Sequence, residues 1–369
     1  MAITILTVNT TADQNDGSAA NGLSLRDAIL IANANPNTEY EIRLTGGVTY
    51  NLTSNGINED NAFTGDLDIK SRNNVLYIVS VGGEKATIDA SGLLNSDRVF
   101  HVLSGGELSL QNVVVTGGGI SDHGGGIKVD LNGFLDVSNS TITGNAASGF
   151  FNKGGGLANS GLTYIRNGTQ ISNNIAFGSS SQGGGGIYNN GTLIGINSTI
   201  SNNQGTEGGG IYTINGSLTL INTTLSGNSG ADGGGIRSNG TSVALFNTTL
   251  SGNSASDEGG AIYASNGVLN LINSTVTNNR ITTSIFGSGG GGIYNLSATV
   301  NLRNTIVAGN ISSNAPDLLS SSLSSAIFNG NNNNLIGNIT GARGTVGTGT
   351  DIVNPNPSRG DKQPKVLAV

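Results

Sequence analysis

The chain has no cysteine, which excludes a disulfide framework and thiolate metal sites. Proline is scarce, with five in 369 residues, and charged residues make up 11%. That excludes a Pro-rich or polyelectrolyte disordered chain. A net charge of -7 sets the protein against a phosphate backbone, so nucleic acid is not expected as a partner. No apolar run reaches the roughly 18 residues that a membrane helix needs, so no membrane span is expected. The opening MAITILTVNT lacks a basic segment followed by a long apolar one, and no secretory signal is visible there. The two histidines, His101 and His123, give little support to a Ser-His-Asp triad.

Glycine is abundant instead. The 60 glycines are roughly 16% of the chain, about twice the usual share, and show no collagen triplet. Many fall in short runs followed by one apolar residue, at Ile127, Leu157, Ile187, Ile211, Ile236, Ile262 and Ile293. The steps are 30, 30, 24, 25, 26 and 31 residues. A second marker is the Asn of N-x-T-[ILV], at Asn139, Asn197, Asn222, Asn247 and Asn273. A period of about 20–50 residues signals a solenoid, propeller or array. Each unit holds short alternating stretches such as SLTLI (217–221) between Gly and Asn turns, and no segment between Lys128 and Asn310 reads as a helix. A propeller blade needs about 40–45 residues, so a unit this short fits one coil of a parallel β-helix with three strands and three turns.

Coils then stack about 4.8 Å apart and equivalent residues form ladders. Leu218, Leu220 and Leu225 are expected to point inward, matched one coil on by Val243, Leu245 and Leu250. Asn222 over Asn247 is expected at a turn, because Asn tolerates left-handed backbone. LSLRDAILIANANP (23–36) is the one clear helix signal, with Ser24 as cap, Leu25, Ile29 and Ala32 as the apolar face, and Pro36 as the stop. It is expected to plug the N-terminal end of the solenoid, whose sheet edges would otherwise be exposed. The predicted organisation is a cap over 1–47 with its helix at about 24–35, coils over 48–310, and irregular C-terminal coils and tail over 311–369.

LSLRDAI resembles the CSLREAI motif that opens a group of bacterial surface proteins with β-helix repeats, with Leu23 in place of the Cys. The GGGI and GGAI turns and the IxxN stretches, as in 259–262 and 200–203, resemble the GGAI…FxxN repeats of polymorphic outer-membrane proteins. NTIVAGN (304–310), NLIGNITGA (334–342) and GTGTDIVNPNP (347–357) are similar to the end of the same surface group. The resemblance covers nearly the whole chain. It implies an all-β fold, a right-handed parallel β-helix, in a protein that is secreted or displayed at a cell surface and often adhesive. Such proteins continue past NPNP into a Gly-Pro-Leu segment and an anchor region, where this chain reads SRGDKQPKVLAV.

Four residues before the apolar marker, three successive coils carry Glu207, Asp232 and Glu258, and Asp257 adds a fourth acid. Like charges about 5 Å apart call for a cation or a raised pKa. One residue after the marker come Tyr212, Arg237 and Tyr263, which alternation directs away from the core beside the acids. Three readings stay open. The acids are solvated turn residues. Alternatively Glu207, Asp232, Asp257 and Glu258 bind Ca²⁺ through oxygen ligands. The third makes the acids a carbohydrate site, in a hydrolase, lyase or epimerase or in a Ca²⁺-dependent glycan-binding protein, with Tyr212, Arg237 and Tyr263 as ligand-binding residues. Absent are the dense Asp, His, Lys and Arg clusters of pectate lyases and polygalacturonases. No other cofactor is expected.

Two surfaces repeat. Thr141/Thr143, Thr199/Ser201, Thr224/Ser226, Thr249/Ser251 and Thr275/Thr277 bracket an inward residue and make two outward hydroxyl columns. The longer coils gain AASGFFNK, IAFGSSSQ and RITTSIFGS at one turn, bringing Phe150, Phe151, Phe177, Ile285 and Phe286 as candidate partner contacts. The leading expectation is a non-enzymatic extracellular or cell-surface β-helix, an adhesin or scaffold facing a polysaccharide or cell-surface partner. The sequence leaves the oligomeric state open.

Overall fold

The computed structural model describes residues 3–56, 59–94, 97–149, 153–178, 183–283, 289–322, 325–330 and 332–353. The alternation in SLTLI gives the strand Ser217–Ile221, with Leu218 and Leu220 fully buried. Around it the chain makes one coil of four strands: Ile211–Ile214, Ser217–Ile221, Thr224–Ser226 and Ser229–Asp232. The next coil opens at Ile236, in register with Ile211. The expectation was three strands per coil. The fourth lacks a sequence signal because its buried positions hold small residues, among them Ala147, Ala176, Gly205 and Ala255.

Stacking turns these strands into four parallel sheets. The first, containing Ile211, has 10 strands, the second and third have 12 each, and the fourth has 7. The protein is therefore a parallel β-helix, with columns of aliphatic side chains behind each of its longer sheets. Leu218 pairs with Val243, Leu220 with Leu245 and Leu225 with Leu250, and all six are fully buried. Each such side chain contributes roughly 1.5–3 kcal/mol relative to an exposed one. The outward hydroxyls alternate as expected, with Thr224 and Ser226 half-buried on either side of Leu225.

The glycine runs serve two different needs. In several coils, though not at Gly184 or Gly208, the first glycine turns the chain in left-handed backbone, with φ of +64° at Gly233 and +65° at Gly259. The next two are required by close approach: a Cβ on Gly209 would lie 2.4 Å from the Gly234 carbonyl oxygen, and one on Gly210 2.6 Å from that of Gly235.

The helix Leu25–Ala34 is the one helix among the described residues. Ser24 caps it in a capping box with Asp27, and Leu25, Ala28, Ile29 and Ala32 are buried against the first coils. Arg26, fully buried, fastens the cap. It pairs with Asp13 at 2.7 Å and donates to the carbonyls of Ala62, Gly65 and Asp66. SLRD is thus a mechanical clasp: Ser24 and Asp27 start the helix and Arg26 ties it to the coil below.

Two Asn ladders run along the solenoid. Asn222 and Asn247 sit at an exposed turn with φ of 51° and 49°, and the Asn247 amide donates to Asn222 Oδ1 at 3.1 Å. The second ladder lies inside, on the Asn of IxxN and of its Leu and Val counterparts: Asn145, Asn174, Asn203, Asn228, Asn253, Asn279 and Asn310. Asn228 shows the pattern. Its amide donates to Ile200 O in the coil before and to Asn253 Oδ1 in the coil after, both at 2.9 Å, while its backbone N–H also donates to Asn253 Oδ1 at 3.1 Å. One side chain therefore fastens three coils. The ladder ends on a carboxylate, where the Asn310 amide donates to Asp317 Oδ1 at 2.8 Å.

Asn228→Ala would remove four bonds, those from Asn203 N and Asn203 Nδ2 and those to Ile200 O and Asn253 Oδ1. It would leave the buried Asn203 N–H without an acceptor among the described residues, while Asn203 Nδ2 keeps Ile171 O and Asn253 Oδ1 keeps the backbone N–H of residue 228. At roughly 0.5–1.5 kcal/mol for each lost bond and roughly 1–3 kcal/mol for the unsatisfied N–H, denaturant unfolding should show a loss of at least ~2 kcal/mol. Asn222→Gly keeps the left-handed turn and should cost under ~1 kcal/mol in the same assay.

Candidate functional site

The first sheet sets the outward column that the sequence singled out. Strand pairing stacks Tyr188, Tyr212, Arg237, Tyr263 and Tyr294 on one another, one per coil. The side chains leave the core, as alternation requires, yet they are covered rather than open: Tyr212 is 2% exposed and Tyr263 6%. Arg237 is held between two rings, its guanidinium carbon 5.1 Å from the centroids of both Tyr212 and Tyr263. Tyr188 meets Tyr212 edge-on at 5.7 Å, and Tyr263 stacks on Tyr294 at 5.4 Å.

The acids stand beside this column. Asp232 and Glu258 are partners in adjacent strands of the fourth sheet, and Glu207 lies in the bend one coil earlier. Arg237 Nε contacts Glu207 Oε2 at 2.5 Å and Asp232 Oδ2 at 3.5 Å. The first contact is an ion pair without hydrogen-bond alignment, since neither atom has a hydrogen-bond partner among the described residues. The like charges are thus handled in the two ways electrostatics allows. An internal cation lies between Glu207 and Asp232. Burial, with Asp232 and Asp257 nearby, lifts Glu207 to about 7 despite Arg237, and burial lifts Glu258 to about 7 against a hydrogen bond from Tyr294. Asp232 is also raised by burial, and Tyr263 reaches about 12. Asp257 is exposed. The structure brings Glu207, Asp232 and Glu258 together with Tyr212, Arg237 and Tyr263.

Of the apolar insertions, Phe177 is described. It is 47% exposed, on the strand Ile175–Gly178, and pairs in register with Ser148. The two loops therefore leave adjacent positions of neighbouring coils. Phe150, Phe151, Ile285 and Phe286 lie outside the described residues.

The same outward column continues toward the N-terminus, where sequence reasoning missed it. Lys128 pairs with His101, and His101 with Asp68. The glycine marker is absent from these coils, so alignment on glycine stopped at Ile127. The readable signal was the apolar-x-apolar triplet, Leu67–Ile69 and Phe100–Val102 upstream of Ile127–Val129. His101, 5% exposed, is surrounded by carboxylates: Nε2 lies 2.9 Å from Asp130 Oδ2, and Nδ1 lies 3.5 Å from Asp68 Oδ1 and 3.7 Å from Asp60 Oδ1. Burial alone would lower the His101 pKa, but Asp130 and Asp68 outweigh it and raise it. A second pocket of charge adjoins it. Arg98 contacts Asp66 at 3.1 Å and Asp122 at 3.2 Å, and burial with Asp68 and Asp97 pushes Asp66 to about 8. Among the described residues, Asp60, Asp68 and His101 form a group whose ligand atoms all lie close enough to share one ion.

A shallow cleft of about 610 Å³ crosses the turns between the first and second sheets, lined by Leu131, Phe134, Leu162, Asn132, Asn190 and Asn215 among others. The ring of Phe134, which lines the cleft, lies 6.1 Å from that of Tyr164.

No family model matches the chain, and no curated protein matches it. A crystal structure of pectate lyase Pel9A aligns over 97% of this chain and 81% of that chain, at 17% identity and a TM-score of 0.38.

Glu207 and Glu258 have folded pKa values near 7 against ordinary values of 4.5. The folded chain then binds more protons than the unfolded chain between those limits, so their contribution is most favourable below about 4.5 and declines as pH rises to about 7. Asp66, at about 8, acts in the same direction. The melting temperature should therefore fall as pH rises through this window. The double variant Glu207→Gln/Glu258→Gln should show a shallower fall in thermal melts across a pH series.

Proposed function

We propose that the protein is a non-enzymatic β-helix, secreted or displayed at a cell surface, that serves as a scaffold adhering to polysaccharide. The observation that carries this reading is the internal satisfaction of the acid and tyrosine columns. A glycosidase needs two carboxylates about 5–9 Å apart and free to act on a bound sugar. Here Glu207 and Asp232 share Arg237, and Arg237 is clamped by Tyr212 and Tyr263. These groups stabilise the wall and present no open acid and base. The Ca²⁺ reading of Glu207, Asp232, Asp257 and Glu258 meets the same guanidinium, which already supplies positive charge to the first two.

The cleft along the first turn is where the adhesive reading would place the glycan. Three of its four coils carry an amide at the same turn position, Asn132, Asn190 and Asn215, with Ser160 in the other, and Leu131 and Phe134 offer apolar faces beside them. A sugar ring presents the complementary combination, hydroxyls at its edge and C–H groups on its face. The four coils that line the cleft span about 14 Å at 4.8 Å per step, enough for a short oligosaccharide lying along the axis.

The test is a glycan array with and without Ca²⁺. Binding to at least one polysaccharide class is expected, weakened by Phe134→Ala and by Leu131→Asp and unchanged by Ca²⁺. Reproducible polysaccharide cleavage lost in Asp232→Ala would overturn the non-enzymatic reading. Binding that survives both cleft variants would overturn the location.

A further inference from the structure

The His101 cluster poses a problem that the other outward columns do not. Elsewhere most of the stacked acids are answered by a fixed cation, Arg237 for Glu207 and Asp232, Arg98 for Asp66, and Lys128 for Asp130, whose Oδ1 lies 3.4 Å from the ammonium, and Glu258 is answered by a hydrogen bond from Tyr294. Asp68 has no such partner. Its side chain is fully buried, Oδ2 accepts from the Ala62 N–H at 2.8 Å, and Oδ1 has no hydrogen bond among the described residues. A buried carboxylate oxygen without a partner is costly. This one faces His101 Nδ1 at 3.5 Å, and Asp60 Oδ1 faces the same nitrogen at 3.7 Å.

The other side of the imidazole settles its tautomer. Asp130 Oδ2, a carboxylate oxygen, accepts from Nε2 at 2.9 Å, so Nε2 carries the proton. In the neutral ring Nδ1 is then a lone pair aimed at two carboxylate oxygens. A histidine that gives one N–H to a carboxylate while its other nitrogen joins further carboxylate oxygens is the usual surrounding of a metal-bound imidazole.

We propose that Asp68 Oδ1, Asp60 Oδ1 and His101 Nδ1 bind one divalent transition-metal cation, with Zn²⁺ as the type ion. The distances fit. A tetrahedral ion with bonds of about 2.1 Å holds its ligands about 3.4 Å apart, close to the observed 3.5 and 3.7 Å. The donor set, one imidazole and two carboxylates, suits zinc and its neighbours better than Ca²⁺, which takes six to eight oxygens. The burial is graded in a way that suits entry and retention. Asp68 and His101 are fixed on adjacent strands of the rigid first sheet. Asp60 is on the loop before them with its side chain 69% exposed, so an ion can arrive from solvent on that side. The site stands four coils from Tyr188 along the same column and is independent of the glycan reading.

The test is calorimetric titration of chelator-treated protein with ZnCl₂, with CoCl₂ as a coloured probe whose visible bands report the ligand set. One ion per chain is expected, with visible Co²⁺ bands characteristic of a bound, partly nitrogen-ligated ion. Asp60→Asn should weaken binding at least about tenfold and leave the melting temperature of the metal-free protein unchanged, because Asp60 is exposed. Asp68→Asn should abolish binding: the Ala62 N–H keeps the amide oxygen on its side, which turns the NH₂ group into the site. Asp257→Asn, a distant surface acid, should change nothing. Absence of saturable Zn²⁺ binding at millimolar concentration overturns the proposal, and would leave a proton on Nδ1 as the only charge between these acids. Binding that persists unchanged in Asp60→Asn and Asp68→Asn, or that falls equally in Asp257→Asn, also overturns it.

Discussion

Along the stacked strands each side chain has its counterpart from the next coil about 4.8 Å away, and that spacing is the constraint on which the rest depends. A residue type survives in a column only if it can stack on itself or on a chosen partner. Aliphatic residues do so by dispersion and burial, which fills the core. Asparagine does so because one amide is both donor and acceptor, and a ladder of them satisfies itself with no water. Buried hydroxyls do so against backbone: Thr223 and Thr248 each return a bond to the carbonyl two residues back, at 3.0 Å in both cases. Glycine does so where the backbones themselves come together.

Charge cannot stack on itself, and the outward column of the first sheet shows the consequence. Reading along the axis, Asp68 is followed by His101 and Lys128, and further on Arg237 is inserted between Tyr212 and Tyr263. Tyrosine tolerates its own kind through ring contacts and accepts a guanidinium on its face. The acids of the neighbouring bend then find a cation within the same stack. The wall is built by alternating chemistry, and the part that departs from this balance lies around Asp68 and Asp60.

The architecture was legible because it is periodic. The glycine-apolar marker, the outer asparagines and the alternation in SLTLI each repeat often enough to be read against one another, and the inward leucines and the helix at Leu25–Ala34 stand where the pattern put them. What escaped had no contrast in sequence. The fourth strand buries Ala and Gly, which look like turn residues. The IxxN asparagine reads as one more polar turn position, and its burial follows from the strand that comes after it. The candidate site was legible as a set of neighbours, Glu207, Asp232, Glu258, Tyr212, Arg237 and Tyr263. That Arg237 binds its own acids is a matter of side-chain reach that spacing does not encode. His101 and Asp68 were lost because the glycine turn that served as the ruler is missing from their coils.

The inner asparagine ladder has a direction. Each asparagine gives one amide N–H and its backbone N–H to the side-chain oxygen that follows it in the row, and its other amide N–H to a carbonyl of the preceding coil. The series stops at Asp317, whose carboxylate receives them and has no N–H to pass on. Each coil therefore offers an acceptor on the side of its predecessor and a donor on the side of its successor, so any coil fits after any other. A duplicated or deleted unit of about 25 residues leaves both junctions chemically intact, as the near-identical stretches 208–228 and 233–253 illustrate. In lineages carrying this fold, length is free to drift by whole coils, and the position of a single aspartate acts as the stop sign for the row.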